Sequence, residues 1–473
     1  MKDYAIVGSG IGGSSIAALL NAKGYDVALF EKEPYLGGCS STFEHRGFKY
    51  NTGATTLAGY EDGHVVKEIL DEIGVKIDLI ETDPSIVVMQ NQKITPRYKN
   101  FEEFFEVLDT HYPHPNNREF WSLVYKINEE FYTLKNYYYS NENLYKKVKS
   151  LLSFFTLFTK FQSHIRVNAF DFTNKLLRGL DQEYLDFLES QILIVAQAPL
   201  REINFFTAAL SLGYTFRTNH YVVGGFESLF EAITKDIKDL HTNAEIIKIT
   251  QEDEHFTLFT KNGYFKAKNI VLNSTVYESA KLFTQNEIKN YYNKYEHLNN
   301  FQSSFMLYMT IKSSKQFSHH YQIIEKEQIK YTLSKALFVS FSDAKDQKIT
   351  PQGYYSITAS IHIDLRFWNN KTTYKVKKQE LENILKRIIM SNLKIEETEI
   401  IQCFAASPKT FAHYLNRSQL GGNAMSIKNF LPYLPSNDTP IKNLYNVGDS
   451  VYAAQGWPGV MLGVKNLKRL LGV

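Results

Sequence analysis

Residues 4–42 read YAIVGSGIGGSSIAALLNAKGYDVALFEKEPYLGGCSST, and this stretch decides the fold. Tyr4–Val7 is a short apolar run of the kind buried in a parallel sheet. Gly8, Gly10 and Gly13 follow as G-x-G-x-x-G, and Ser14–Lys23, rich in Ala, Leu and Ile, is expected to be helical. In such a turn the first glycine makes the bend, the second lets backbone approach a pyrophosphate, and the third packs helix on strand. The phosphates then lie at the helix N-terminus, where free N–H groups and the dipole favour negative charge.

Glycine-rich turns are common, so the weight comes from what accompanies this one. Ala17 keeps the helix face small, Gly24 stands where a C′ glycine ends a helix, and Val27–Phe30 makes a second apolar strand. Glu31 ends that strand at the spacing where a carboxylate accepts from a ribose diol; the alternative is a solvated strand-end charge. A second glycine pair, Gly37–Gly38, comes next. The whole run resembles the extended dinucleotide fingerprint of flavoproteins in the phytoene desaturase and amine oxidase superfamily. There the second glycine pair lies beside the FAD pyrophosphate. The resemblance implies FAD as cofactor, held at this end by Gly8, Ser9, Gly10, Ile11, Gly12, Gly13, Glu31, Lys32, Gly37, Gly38, Ser40 and Ser41.

Composition is consistent with that class. A chain of 473 residues supports two or three domains and a large core. A net charge of +3 gives no global footprint for nucleic acid. Cys39 and Cys403 are too few for a disulfide framework or a Cys-based metal site, and no metal site is expected. A reducing, cytoplasmic setting is expected. With the first strand starting almost at once, no signal peptide is expected, and no apolar run is long enough to span a bilayer.

After Thr42, Phe43, Phe48 and Tyr50 around Gly47 predict a small hairpin, followed by the loop Gly53–Gly59. In the family this Gly-Phe-x-Phe-Asp-x-Gly element brings backbone close to the flavin, which implicates Gly53, Ala54 and Thr55; Asn51 stands where Asp is usual. From Gly63 to about Leu212 helical spacing prevails: Val65–Ile73, Phe101–His111, Arg118–Tyr138, Leu144–Phe161 and Gln182–Ala196, with Ile86–Gln90 and Lys93–Pro96 as a strand pair. This block is the candidate substrate cap. Within it, Leu144–Phe161 (LYKKVKSLLSFFTLFTKF) has two readings: a core helix of the cap, or a basic, aromatic helix lying on a membrane and admitting lipids.

Tyr221–Ile233 (YVVGGFESLFEAI) predicts a strand entering Gly224–Gly225 and then an amphipathic helix; it resembles the family's Pro-x-Gly-Gly segment with Val223 near the usual proline. Ala244–Thr250, Phe256–Thr260, Tyr264–Ala267 and Ile270–Ser274 follow as short strands, with Ile246 at the position where relatives meet the adenine. Ser303–Ser313, Ala336–Ser342 and Tyr354–Ile363 predict a second, antiparallel sheet, covered by the amphipathic helix Tyr374–Asn392.

The tail, Asn443–Leu471, reads NLYNVGDSVYAAQGWPGVMLGVKNLKRLL. It predicts a buried strand Leu444–Val447, a sharp turn Gly448–Asp449, and a helix entered through Gly456-Trp-Pro-Gly459, Pro458 suiting the first turn. Its free N–H groups suit the electron-rich edge of a reduced ring. In the family the aspartate at Asp449 bonds ribityl or phosphate, and the turn Gly448, Gln455, Gly456, Pro458, Gly459 and Val460 meets the flavin. Phe404–Asn416 and Gly421–Gly422 resemble the Thr-Pro-x-Thr…Gly region of carotenoid isomerases, phytoene desaturases and retinol saturases. Cys39 follows the glycine pair where desaturases and amine oxidases more often carry Arg.

The fold class expected is α/β: a two-dinucleotide-binding-type flavoprotein with a Rossmann-like FAD domain (1–62, 213–300, 401–473) and an interleaved α+β substrate domain with helical cap (63–212, 301–400). The resemblance implies an FAD-dependent oxidoreductase or redox-neutral isomerase acting on carbon–carbon bonds of a long apolar polyene or isoprenoid. Two other readings are amine oxidase-type C–N oxidation and a non-catalytic prenyl or lipid carrier of the GDP-dissociation-inhibitor type. Gln455, Tyr452 and His220 are the candidate catalytic polar groups; Tyr221 and His413 are further polar groups with a structural alternative. The expected setting is cytoplasmic, with peripheral contact at the inner face of a membrane under the second reading of Leu144–Phe161.

Overall fold

The computed structural model describes residues 1–473 except 135–136, 253, 300, 424, 428–432 and 454. Positions 135–136, inside the helix expected over Arg118–Tyr138, and 454, inside the tail Asn443–Leu471, lie outside the described residues.

Five strands make a parallel sheet in the order Asp239–His241, Val27–Phe30, Lys2–Val7, Gly263–Leu272 and Leu444–Asn446. Val27–Phe30 is buried throughout, which is why it reads as an unbroken apolar run. Strand His255–Thr260 extends the sheet as the antiparallel partner of the first half of Gly263–Leu272, and Lys248–Glu252 pairs antiparallel with His255–Thr260 in turn. Helix Ile11–Ala22 packs with Val65–Ile73, Gly225–Thr234 and Gly456–Leu471 in one core that contains Ile16, Leu20, Ile69, Phe226 and Met461. Burial of each such side chain contributes roughly 1.5–3 kcal/mol. The first and last helices of the chain are therefore neighbours.

A second, seven-stranded sheet runs in the order Ile400–Ala406, Gln302–Lys312, Tyr354–Asp364, Ala336–Phe341, His320–Ile324, Ile86–Gln90, Lys93–Arg97. Helix Tyr374–Leu393 lays Leu381, Leu385 and Ile389 on one face. The three strands expected to be antiparallel, Gln302–Lys312, Tyr354–Asp364 and Ala336–Phe341, are paired that way, and the addition is Ile86–Gln90, which pairs in parallel with His320–Ile324. The early strand pair docks as an edge there, so the sheet is mixed.

The cap consists of helices Phe101–His111, Asn117–Thr133, Leu144–Ile165, Ala169–Leu176, Gln182–Ala196 and Phe205–Gly213. Several begin on a side-chain cap: Asn100, Asn143, Asn168, Asp181 and Asn204 each accept from a backbone N–H of the first turn. Aromatic residues fill the core, among them Phe104, Phe120, Trp121, Phe187 and Phe205, with the Trp121 indole N–H donating to Tyr184 (2.8 Å).

Other boundaries differ for local reasons. The first helix starts at Ile11, not Ser14, because Gly10 is already its N-cap. Ala244–Ile247 forms no strand: Ala244 N–H donates to Glu31 O (2.8 Å), so the segment tethers the nucleotide turn before the ladder opens at Lys248. Tyr264–Ala267 and Ile270–Ser274 are one strand, Gly263–Leu272, held together by Lys2–Val7 alongside. Helix Phe205–Gly213 carries no helical periodicity in its sequence because it is buried almost all round and has no polar face to mark it.

Candidate functional site

The glycine turn is built by contact. A Cβ on Gly13 would lie 2.0 Å from Gly8 O, so only glycine lets this helix sit on its strand. Ser9 then presents its N–H (2.9 Å) and hydroxyl (2.5 Å) to Glu31 Oε2, while Glu33 N–H donates to Oε1 (3.0 Å). Three donors thus fix a carboxylate that is only 9% exposed, leaving lone pairs for a diol. Gly37, at φ +106°, donates to Ser9 O (3.1 Å), and a Cβ there would strike the Phe230 ring. The second glycine pair is thereby laid beside the first turn.

The tail closes on this cradle. A Cβ on Gly12 would meet Val447 Cγ2 at 2.8 Å and Gly448 N at 3.0 Å, which places the head and tail motifs in direct contact. Asn273, whose N–H donates to Val7 O (2.9 Å), packs against both Gly8 and Gly448. The hairpin Thr42–His45/Phe48–Asn51 leads into the loop that holds Gly53 against Cys39 O. Asn51 Oδ1 accepts from Thr42 (2.8 Å) and Phe226 N–H (3.2 Å), pinning hairpin to helix Gly225–Thr234.

One cavity of about 1350 Å³ follows from this closure. Every residue expected to hold the cofactor lines it except Gly13, whose place is beneath the turn: Gly8–Gly12, Glu31, Lys32, Gly37, Gly38, Ser40, Ser41, Gly53–Thr55, Ile246, Gly448, Asp449 and the Gln455–Val460 turn. The same cavity runs on between cap and second sheet, past Phe131, Tyr137, Phe154, Leu157 and Phe206 on one side and Met306, Tyr308 and Phe338 on the other. The residues fit FAD: a glycine cradle that no side chain would permit, a fixed carboxylate at the ribose position, and a helix N-terminus at Gly456.

Among the catalytic candidates, Gln455 and Tyr452 line the cavity. The Gln455 amide donates to Val195 O, joining the last helix to the cap. Tyr452 packs on Tyr139 and Phe154 (centroids 4.9 and 6.0 Å), and burial raises its phenol far above the ordinary value. His220 is a correction. Strand Asn219–Val222 turns it against the Tyr60 ring (5.8 Å), outside the cavity, and burial lowers its imidazole. Tyr221 also faces elsewhere, donating to Asp346 (2.6 Å), and His413 is off the lining, its carbonyl accepting from Lys32.

Sequence reasoning missed Arg417. Its guanidinium lines the cavity, grips Asp449 through Nη1 (3.1 Å) and Nη2 (2.9 Å), and donates from Nη2 to Cys39 Sγ (3.1 Å). Burial pulls its pKa down, but the Asp449 carboxylate and Cys39 sulfur outweigh it and hold the group well above its usual range. The signal in the sequence was the cationic end of FAASPKTFAHYLNR, four residues before Gly421–Gly422.

Residues 6–73 match the profile of the NAD(P)-binding Rossmann-like domain. The chain is 25% identical to the chloroplastic prolycopene isomerase of Daucus carota over 96% of its own length and 77% of that protein's. It is 23% identical to a 1-hydroxycarotenoid 3,4-desaturase of a Flavobacterium, covering 98% of both. The solved structure of a putrescine oxidase superposes with a TM-score of 0.66 at 13% identity, over 100% of this chain and 98% of that one. The chain therefore shares its fold with that putrescine oxidase and is similar, along nearly its whole length, to a prolycopene isomerase and a hydroxycarotenoid desaturase.

Proposed function

We propose that this protein is an FAD-dependent oxidoreductase or redox-neutral isomerase acting on the carbon–carbon double bonds of a long apolar polyene or isoprenoid. The observation that carries the reading is the continuity of one cavity, from a dinucleotide cradle into an aromatic chamber. In this reading residues 1–62, 213–300 and 401–473 hold the cofactor, and 63–212 and 301–400 hold the substrate. Bound FAD supplies hydride exchange with a substrate carbon. The chain supplies position and dryness: Phe131, Tyr137, Phe154 and Phe206 exclude water, while Gln455 ties the cofactor-side helix to the cap. The relatives from carrot and Flavobacterium, named for prolycopene and a hydroxycarotenoid, support the substrate class.

Peripheral attachment at the inner face of a membrane belongs to the same proposal. Leu144, Tyr145, Val148, Leu151, Leu152 and Phe155 form one stripe along helix Leu144–Ile165, each 48–79% exposed. The opposite stripe, Phe154 and Leu157, lines the cavity, so both readings of this helix are supported at once. Among the described residues no helix is long and apolar enough to cross a membrane.

The test is purification followed by absorbance and mass analysis of what co-purifies. A two-banded flavin spectrum, and polyene conversion by the loaded protein, are expected. A colourless protein that rebinds no FAD, or one that releases peroxide from amines and leaves polyenes untouched, overturns the reading.

A further inference from the structure

The wall of the chamber contributed by the second sheet carries a polar patch that the reading above leaves unused. Ser304 on strand Gln302–Lys312 lies opposite His362 on strand Tyr354–Asp364, and Met306 lies opposite Ser360. Two-residue spacing puts all four on one face of the sheet, and all four line the cavity. Nearer the hairpin loop the same face is satisfied: Thr358 donates to Asn51 O (3.1 Å), Ser340 bonds Thr55 (2.8 Å), and Tyr308 donates to Thr52 O (2.6 Å). Ser304, Ser360 and His362 have no side-chain hydrogen-bond partner among the described residues. His362 is 8% exposed, and burial holds its imidazole neutral, with the pKa down to about 4.

A polar group in an apolar wall is costly unless something bonds it. A neutral imidazole offers one N–H donor and one nitrogen acceptor, and each serine adds a hydroxyl that serves either way. With no charge in the trio, the complementary group is itself neutral and oxygen-bearing. Met306 and Phe338, the cross-strand neighbours of Ser360, leave only apolar contact beside it. Ser304 lies four residues, about 14 Å along the strand, from Tyr308 on the loop side.

We propose that Ser304, Ser360 and His362 form a recognition site for a hydroxyl or carbonyl oxygen on an otherwise apolar polyene, so that the preferred substrate is oxygenated rather than a pure hydrocarbon. This rests on the polyene reading and adds the polar substituent to it. A site built to bond an oxygen rejects the analogue that lacks it, because its own groups are then left unpaired.

The experiment titrates the FAD-loaded protein in detergent micelles with lycopene, 1-hydroxylycopene and apo-8′-lycopenal, following the flavin spectrum. Wild type is expected to bind an oxygenated probe at least tenfold more tightly than lycopene. His362→Leu is expected to bring that preference within twofold while lycopene affinity holds. If His362→Leu fails to fold, the Ser304→Ala/Ser360→Ala double variant, which trims only hydroxyls, carries the same expectation. Equal binding of the three probes by wild type, or a preference that survives the substitutions, overturns the site while leaving the polyene reading intact. Binding of none of the three overturns the polyene reading itself and the site with it.

Discussion

The guanidinium of Arg417 lies 3.1 Å from the sulfur of Cys39, the residue that directly follows the glycine pair Gly37–Gly38. A cation is thus delivered to the second glycine pair from some 380 residues away. Arg417→Met is expected to weaken FAD binding tenfold or more, in line with about 1.5–3 kcal/mol for a charge-assisted hydrogen bond. Adding Cys39→Arg to that variant is expected to recover much of the loss. Fluorescence titration with FAD measures both, and undiminished affinity in Arg417→Met counts against the assignment.

Gly13 is expected to tolerate no side chain. Gly13→Ala sets a methyl 2.0 Å from the Gly8 carbonyl oxygen, and relief requires the helix to lift from the sheet. Overpacking of this kind costs about 1–3 kcal/mol or more, to be read as a fall in melting temperature with FAD binding lost alongside. Glu31→Gln, by contrast, keeps shape and acceptor and should lower FAD affinity with little loss of stability.

Stability is expected to fall as pH drops from 6.5 toward 4. His64 is buried, and its burial lowers the imidazole pKa to about 4, while Nδ1 accepts from Val66 N–H (3.2 Å). The unfolded chain takes up this proton near pH 6.5 and the folded chain resists it, so folding stability rises with pH across that window. A shift of this size corresponds to about 3 kcal/mol, present in full above pH 6.5 and lost below 4. His64→Asn, which retains an acceptor for the cap, should flatten part of the dependence of melting temperature on pH; an unchanged slope argues against His64 as its source.

Helix Leu144–Ile165 makes a prediction that separates apolar from electrostatic attachment. Leu151→Ser/Phe155→Ser should abolish flotation with anionic vesicles at any salt concentration. Lys147→Glu/Lys149→Glu should weaken it most at low salt, where surface charge is least screened. Both residues of each pair are exposed, so thermal stability should hold.

The parts of the site that could be read from the sequence are those where geometry forbids alternatives. Gly13 and Gly37 each meet an atom that excludes a Cβ, and Glu31 must end its strand to reach the turn, so spacing alone betrays them. Arg417 could not be found that way, since its meeting with Cys39 depends on the whole chain folding between them. The polar face of the second sheet was hidden for a different reason. Alternating Ser304, Ser360 and His362 reads as a solvent-facing strand pattern, and only the cap placed over them turns that face into the lining of an internal chamber. His220 failed as a candidate because a strand of four buried residues gives no hint of which direction faces the cleft.

The crossing of the chain between its two seven-stranded sheets has a practical consequence. Leu444–Asn446 completes a sheet begun at Lys2, and Ile86–Gln90 is held by His320–Ile324. No single cut in the polypeptide frees an intact half. Fragments expressed alone would lack interior strands, and the two lobes should melt together in one transition instead of yielding to proteases as separable pieces.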